Sequence, residues 1–381
     1  MKQTNKIRKG IAWLLCTVLV LGILPMLPQM SMQTSAAESA DSVFIDGVEL
    51  HAGSQEYFKN GDTADSGATG TYEDHSAYYD TAGELWLNNL EAHTIKADGN
   101  LIIYVCNNQA TNTNTVTAAQ NETAIEVTGY LTIRYGGYGG GTGSLTVESD
   151  GKEAIQAGLG MTVSDGVEVK VQAKSGATAV SSGGVLKIDG IRTKFEAASD
   201  GSTGKGIVAQ KGIYVKNSAT LTAFGGAAAY ESPSGIDKSG YGYEDYNVFT
   251  GDAAPGTQAA KDTVLDGYKY IRIEPTGVAN VTTLTELQAA AQNQYISLIN
   301  VMNDITITDT VYVRRAVTIQ SPDASNVSKL IRGKSHTDVI LDFDGANGHK
   351  SDVVTLKNII VDGNKDGNTQ TASPALKSKS I

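Results

Sequence analysis

The stretch AIEVTGYLTI, residues 124–133, recurs in altered form at 154–163 (AIQAGLGMTV), 179–188 (AVSSGGVLKI) and 206–215 (GIVAQKGIYV). In each copy, a small residue followed by Ile or Val comes seven positions before an apolar residue that opens a second segment. These openers are Leu131, Met161, Leu186 and Ile213. A third segment follows each copy: LTV from Leu145, VKV from Val169, KFEA from Lys194 and LTA from Leu221. The alternation predicts three short strands per copy, with every second side chain inside.

These repeats have the form expected for turns of a parallel β-helix. Successive copies begin 30, 25 and 27 residues apart, and the extra residues are expected to emerge as loops at corners. Glycines lie in each first connection, where positive φ angles are needed. One turn cannot bury its own inner face, so the turns must stack into a column. Residues 84–105 contain a degenerate earlier turn, and the glycine run at 135–143 lengthens one corner without matching a phosphate-binding loop.

The composition changes along the chain and predicts two domains. Residues 41–274 are predicted to form a first β-helix, with an N-terminal strand layer over 41–83 and a closing strand, YKYIRIE, at 268–274. Residues 275–280 read as a linker. A second β-helix is predicted over 281–381, where Thr283 and Glu286 have the spacing of a capping box before a short capping helix. The predicted fold is therefore all-β, with two right-handed parallel β-helix domains, the second of them cut off after about two turns.

The N-terminus has the pattern of a secretory signal peptide. Four basic residues precede the apolar run IAWLLCTVLVLGIL, and small residues offer a cleavage site after Ala37. The run is shorter than the roughly 20 residues of a membrane span, although an uncleaved anchor is the alternative. Removing residues 1–37 changes the formal net charge from −11 to −15 and leaves Cys106 as the single cysteine. An acidic surface argues against nucleic acid and anionic membranes as partners, and no intramolecular disulfide is expected.

The repeats and the second domain resemble known families. AIEVTGYLTI and the lead-in YYDTAGELWLNN resemble extracellular carbohydrate-binding-domain proteins of Gram-positive gut bacteria. The segment from LTELQAAAQN to VTLKNIIVDGN is similar to the pectin-lyase-like right-handed β-helix superfamily of adhesins and polysaccharide lyases. This resemblance implies the fold strongly and the function weakly. Such proteins commonly carry a C-terminal wall-sorting signal, which this sequence does not contain.

The segment DGNKDGN, residues 362–368, has the spacing that opens a calcium loop. Asp362, Asn364 and Asp366 occupy the first three ligand positions, but Ser373 stands where an acidic bidentate ligand belongs. Asp, Asn and Gly are equally the residues of a tight turn. We favour a plain corner, with a calcium site, incidental or real, as the alternative, and we expect no other cofactor.

Acidic residues of the second domain form the weak catalytic candidate. Asp342 and Asp362 are 20 residues apart, close to one short turn, and Asp344 is adjacent. Stacking of neighbouring turns about 4.8 Å apart would make two of these carboxylates neighbours, able to bind calcium or to divide acid–base roles. Lyases of the resembling superfamily use acidic calcium ligands with a basic residue as the base, for which Arg314, Arg315 and Arg332 are the nearby residues.

Tyrosines in polar, glycine-rich stretches are the candidates for carbohydrate binding. Tyrosine rings stack on sugar faces, and their hydroxyls bond at the rim. The alternative, which we favour on sequence alone, is that the rings cover glycine backbone at corners. The residues are Tyr78 and Tyr79 and, as the binding candidates, Tyr135, Tyr138, Tyr241, Tyr243 and Tyr246.

The sequence as a whole favours a secreted or wall-associated β-helical surface protein. We expect it to be non-enzymatic and to contact glycans or a host or neighbouring cell surface, without membrane insertion after signal cleavage. The alternatives are a polysaccharide lyase or glycoside hydrolase with its groove on the second domain, and a passive stalk without a ligand.

Overall fold

The computed structural model describes residues 39–106, 113–137, 143–238, 244–343, 353–364 and 373–377. The secondary-structure elements of these residues are almost all β-strands, with one α-helix in the described part. Strands before the regular turns are β1 Ser42–Ile45, β2 Val48–His51, β3 Glu56–Phe58, β4 Ala77–Tyr79 and β5 Glu84–Leu87. The predicted signal peptide, residues 1–37, lies outside the described ranges.

Six stacked turns of three strands follow. In turn order they are β6 Glu91–Ala92, β7 Ile95–Ala97 and β8 Leu101–Val105; β9 Asn114–Gln120, β10 Ile125–Val127 and β11 Tyr130–Tyr135; β12 Ser144–Asp150, β13 Ile155–Ala157 and β14 Gly160–Ser164; β15 Glu168–Lys174, β16 Val180–Ser182 and β17 Val185–Asp189; β18 Lys194–Ser199, β19 Lys205–Ala209 and β20 Gly212–Lys216; β21 Thr220–Gly225, β22 Ala228–Glu231 and β23 Ile236–Asp237.

Each strand pairs in parallel with the equivalent strand of the next turn, which gives the column three flat faces. We call them face 1 (β7 to β22), face 2 (β8 to β23) and face 3 (β6 to β21). The repeats stack in the predicted register: Ile125–Ile155–Val180–Ile207 on face 1, Leu131–Met161–Leu186–Ile213 on face 2 and Leu145–Val169–Phe195–Leu221 on face 3. All twelve side chains are buried. The prediction of an all-β stacked solenoid is confirmed.

The N-terminal strands cover the first turn. β1 and β2 form a hairpin whose turn residues, Asp46 and Gly47, both have positive φ, as a tight Asp-Gly hairpin requires. β1 then pairs with β7 at the edge of face 1, and β5 pairs with β8 on face 2. Because paired edges do not recruit other chains, these strands protect the end of the column.

The middle of the chain comprises β24 Glu244–Gly251, β25 Thr257–Ala259, β26 Tyr270–Val281 and helix α1 Leu284–Gln292. The first half of β26 runs antiparallel to β21, and its second half runs parallel to β27 (Leu298–Val301), so face 3 continues through it. Residues 275–280 therefore lie inside a strand, which corrects their assignment as a linker. Their backbone is needed for sheet hydrogen bonds, so the segment is not a free connection.

Three further turns follow α1: β27 Leu298–Val301, β28 Ile305–Ile307 and β29 Val311–Tyr312; β30 Val317–Gln320, β31 Lys329–Arg332 and β32 Leu341–Asp342; β33 Val354–Lys357, β34 Ile360–Asp362 and β35 Leu376–Lys377. Their buried residues form a hydrophobic cluster from Ala279 to Leu341, separate from the cluster that runs from Ala40 to Ile273. The division into two domains stays a prediction. In the described ranges, no helix has the length and apolar character needed to cross a membrane.

Candidate functional site

An open cleft of about 1020 Å³ lies between helix α1 and one row of corners of the column. The corners join face 2 to face 3 in four consecutive turns and contribute Tyr135, Asp165, Arg192 and Asn217. Strand spacing of about 4.8 Å makes this row about 14 Å long. A nine-residue helix is nearly as long. We call this feature the corner cleft.

The corners hold their shape through bonds between neighbouring turns. Asp165, Arg192 and Asn217 have φ of 61°, 66° and 54°. Asp and Asn tolerate this left-handed region, whereas Arg rarely adopts it. The Arg192 backbone is held there while its Nε donates a hydrogen bond to the Tyr295 hydroxyl at 2.7 Å. A residue kept in a strained conformation marks a corner whose geometry is fixed by its surroundings.

Further bonds tie the corner of one turn to the next. Thr193 Oγ1 accepts a hydrogen bond from the Gly166 backbone N–H at 3.0 Å, and it donates to the Asp189 carbonyl at 2.8 Å. Asn217 Nδ2 donates to the Asp189 carboxylate. The floor of the cleft is consequently a rigid row and not a set of independent loops.

Helix α1 forms the opposite wall and is fixed at both ends. The predicted capping box is confirmed: Thr283 Oγ1 accepts from the Glu286 N–H, and the Glu286 carboxylate accepts from the Thr283 N–H. At the other end, buried Asn293 donates to Ser218 Oγ at 3.0 Å, which joins the wall to the corner row. Arg315 donates to the carbonyls of Ala290 and Ala291 at the helix C-terminus.

The environment shifts the pKa of two groups at the ends of this helix, Glu286 in its first turn and Arg315, which contacts its C-terminus. Burial alone would raise the pKa of Glu286, but hydrogen bonds from Thr282 and Thr283 bring it below its ordinary value. Burial lowers the pKa of Arg315 to about 10, which leaves it charged at neutral pH. Arg315 was one of the basic candidates for catalysis, and in the structure its guanidinium bonds to carbonyls in the last turn of α1.

Tyr135 provides the aromatic surface of the cleft. It ends β11, is half-buried, and its hydroxyl makes no hydrogen bond within the described chain. Gly137 lies so close to the ring that a side chain there would collide with the Tyr135 hydroxyl. Ile191 and Ala289 supply nearby apolar surface, while Gln292 and Gln294 present exposed amides. The lining combines apolar surface with a few polar groups, as small-molecule sites do.

The other tyrosine candidates have different positions. Tyr246 lies in β24 with 4 % of its surface exposed, and its hydroxyl accepts a hydrogen bond from the Ser218 N–H at 3.1 Å. Tyr79 is fully buried and donates to the Ala40 carbonyl at 2.6 Å. The prediction of loop rings available to a ligand is wrong for both, because strand packing takes up their faces. Three further candidates lie outside the described residues: Tyr138, Tyr241 and Tyr243.

The carboxylate candidates of the last turns do not stack on each other. Asp342 lies in β32, which pairs with β29 and β35, whereas Asp362 lies in β34, which pairs with β31. Leu341 pairs with Leu376, 35 residues on, so a spacing of 20 crosses to a different sheet. The prediction that Asp342 and Asp362 are neighbours through stacking is therefore wrong.

Asp342 and the basic candidate Arg314 contact other side chains of the protein. Asp342 is buried and forms an ion pair with Lys377 at 3.4 Å. Arg314 lies over the Tyr312 ring, with its guanidinium carbon 4.9 Å from the ring centroid. Asp344 lies outside the described residues.

The described part of DGNKDGN forms a corner. Asn364 has φ of 49°, and its N–H donates to the Asp362 carboxylate at 2.8 Å. Its side-chain amide donates to the Arg332 carbonyl at 2.8 Å. These are the bonds of an Asx turn. Asp366 lies outside the described residues, and within them no group of three or more His, Cys, Asp or Glu side chains is arranged to hold a metal. Calcium binding stays a prediction.

A row of aromatic residues that was not predicted from the sequence crosses the outer surface of face 2. Tyr57, Tyr78, Trp86, Tyr104 and Arg134 occupy paired positions on β3, β4, β5, β8 and β11, and we call them the aromatic ladder. Trp86 and Tyr104 stack with centroids 4.0 Å apart, and the Arg134 guanidinium lies 4.4 Å from the Tyr104 centroid. The signal was present in the sequence: aromatics occupy the outward positions of YYDTAGELWL and NLIIYV, where polar residues are expected.

The comparison with protein families gives a match for the C-terminal part of the chain. Residues 278–380 match the model of a family described as a pectate lyase-like adhesive domain. The match covers the end of β26, α1 and the last three turns. A search of curated proteins and a search of solved structures found no match. The family match and the solenoid together fit a pectin-lyase-like β-helix, and the C-terminal part of the chain is similar to a domain named for adhesion.

Proposed function

We propose that this chain is a secreted, non-enzymatic adhesive protein that binds a linear carbohydrate in the corner cleft. The family match supports an adhesive β-helix, and the cleft supplies a place for the ligand. The single observation that carries the proposal is the lining of this cleft. It aligns the Tyr135 ring with amide and charged side chains along four stacked corners.

The chemistry of the lining suits a sugar chain. A tyrosine ring with an apolar face packs on the C–H face of a sugar, and amides bond to its hydroxyls. Exposed Gln292 and Gln294 are not engaged by other described side chains and need not break a protein hydrogen bond to bind. The cleft length of about 14 Å admits several sugar units in line.

The proposal also includes the location of the protein. The N-terminal pattern supports export, and the acidic exported chain suits contact with a glycan or a host or neighbouring cell surface more than with nucleic acid. The resemblance of the repeats supports an origin in a Gram-positive gut bacterium, with wall attachment as part of this proposal. Calcium enters it only as a test condition.

A glycan-array screen of residues 38–381, with and without calcium, tests the proposal. A lyase assay on pectins and uronates runs beside it. We expect saturable retention of at least one glycan without turnover. Turnover would contradict the non-enzymatic proposal, and the absence of both retention and turnover would favour a passive stalk.

Two tyrosine variants locate the binding site. Tyr135→Ala is expected to weaken glycan retention about tenfold, because it removes about one aromatic contact with the sugar. Tyr130→Ala is the matched control, because Tyr130 starts the same strand, is 49 % exposed and does not line the cleft. Equal loss in both variants would contradict the corner cleft as the site.

A further inference from the structure

We propose that the corner cleft selects neutral saccharide chains and discriminates against polyuronates. This inference rests on the proposed function and names the ligand class of the same cleft. It comes from the charges that the four corners and α1 present to a chain lying along the row.

The corners present one side chain per turn. In order along the column they are a tyrosine, a carboxylate, a guanidinium and an amide: Tyr135, Asp165, Arg192 and Asn217. Asp165 is exposed and forms no ion pair with the described residues; its carboxylate accepts one hydrogen bond, from Ser164 Oγ at 3.1 Å. A second carboxylate, Glu286, lines the opposite wall.

The basic side chains of this region are already engaged. Arg192 donates through Nε to Tyr295, and its guanidinium lies 6.0 Å from the centroid of that ring. Lys187 forms an ion pair with Asp189. Lys216 lies over the Tyr214 ring, 5.0 Å from its centroid. Among the described residues of the lining, Arg192 is thus the single basic one, against the carboxylates of Asp165 and Glu286.

A polyuronate carries one carboxylate on each sugar. Laid along the row, it places negative charge near Asp165 and near uncharged Asn217, with one guanidinium as partner. Like charges brought together are unfavourable, and such contacts set specificity more than affinity. A neutral chain presents hydroxyls, which bond to carboxylate, guanidinium and amide alike. The corner row accordingly favours an uncharged ligand.

The test compares two ligand classes on residues 38–381. Immobilised neutral gluco-, manno- and xylo-oligosaccharides are matched in length to oligogalacturonates, each at low and physiological salt and with EDTA or calcium. We expect at least one neutral series to be retained, with little dependence on salt. Uronates should be retained at least about fivefold more weakly, which is the effect expected of one partly exposed contact between like charges. Uronate retention equal to or stronger than neutral retention, with or without calcium, overturns this inference and leaves the proposed function intact. Retention of neither class overturns both.

Asp165→Asn provides the second readout. Asparagine tolerates the left-handed φ of this corner, so the fold is preserved. We expect the ratio of uronate to neutral retention to rise about fivefold. An unchanged ratio would show that Asp165 does not discriminate against charge and would overturn the assignment. Glu196→Gln, exposed on β18 of face 3 and outside the cleft lining, makes the same change in net charge and is expected to leave the ratio unchanged.

Discussion

The corner cleft and the aromatic ladder both place a tyrosine of a face 2 strand beside charged and polar groups, yet the two tyrosines have different surroundings. In the ladder, Trp86 stacks between Tyr78 and Tyr104, and its Nε1 donates to Asp80 at 3.1 Å. In the cleft, the Tyr135 ring is half-buried against the core cluster and close to Gly137, and within the described ranges it has no stacking partner and no hydrogen bond to its hydroxyl. The comparison teaches that the neighbouring turn decides the role of an aromatic residue: a ring partner makes it structural, and an open corner makes it available.

The largest expected effect breaks the ladder. Trp86→Ala removes a half-buried ring from the stack and should lower the free energy of unfolding by about 3 kcal/mol. Denaturant unfolding followed by circular dichroism measures this loss. Trp86→Phe is the matched control, since it keeps a ring in the stack and should cost about 1 kcal/mol, mainly the bond to Asp80. The folded Trp86→Ala variant should retain glycan as well as the unmodified chain does. Loss of retention in this variant would indicate that the glycan binds at the aromatic ladder and not in the corner cleft.

The next effect loosens the wall of the cleft. Asn293→Ala removes the buried side-chain bond to Ser218 that joins α1 to the corner row. We expect about 1–2 kcal/mol of destabilisation together with weaker glycan retention, because the wall is no longer held. Gln288→Ala, on the same helix and outside the cleft lining, should change neither quantity by a comparable amount. Destabilisation without any change in retention would show that α1 is not a wall of the site.

Gly137→Ala separates binding from stability. The added methyl group collides with the Tyr135 hydroxyl and must displace the ring. Retention should fall about threefold, while the free energy of unfolding should change by less than about 1 kcal/mol, because the displaced atom is the end of a side chain. Gly67→Ala is unsuitable as a control since Gly67 has φ of 70°; Ala82→Gly in an exposed turn serves instead. Unchanged retention would argue against a role for the Tyr135 ring position.

The smallest effect concerns pH. Burial raises the pKa of Glu286 in the folded chain, but its hydrogen bonds outweigh burial, so that the pKa lies below its ordinary value. The capping bonds therefore stabilise the fold above the unfolded pKa, near 4.5, and this contribution is lost as the pH falls through the folded pKa. Glu286→Gln should cost about 0.5–1 kcal/mol at pH 7 and less at pH 3, because the cost shrinks as the pH falls towards the folded pKa. An equal loss of stability at both pH values would show that the negative charge of Glu286 does not account for the stabilisation.

Local patterning predicted the solenoid because stacking repeats the same inward side chains at each turn. The Ile125 and Leu131 columns and the Thr283 capping box were each readable from short segments. The link between residues 275 and 280 was misread because turn-forming Pro275 and Gly277 sit within a long strand. Asp342 and Asp362 were misplaced because turn length in the last part of the chain varies, and one spacing does not fix a face.

The site was only partly readable for the same reason. Tyr135 was identified as a candidate from its glycine-rich setting, but Asp165, Arg192 and Asn217 are brought together by stacking of turns 25 to 30 residues long. The position of α1 beside this row of corners depends on the path of β26, and no sequence motif predicts that path. Sequence patterns thus predicted the stacked β-helix and identified Tyr135 as a candidate. The cleft could not be predicted, because it forms only when distant segments pack together.

Hydrogen–deuterium exchange of residues 38–381, with and without the glycan that the array retains, tests the central claim most directly. Our account predicts that protection on binding appears at the four corners that contain Tyr135, Asp165, Arg192 and Asn217, and along α1. It also predicts no change over β3, β4, β5 and β8, which carry the ladder. Protection confined to those ladder strands, with none at the corners or α1, would contradict it.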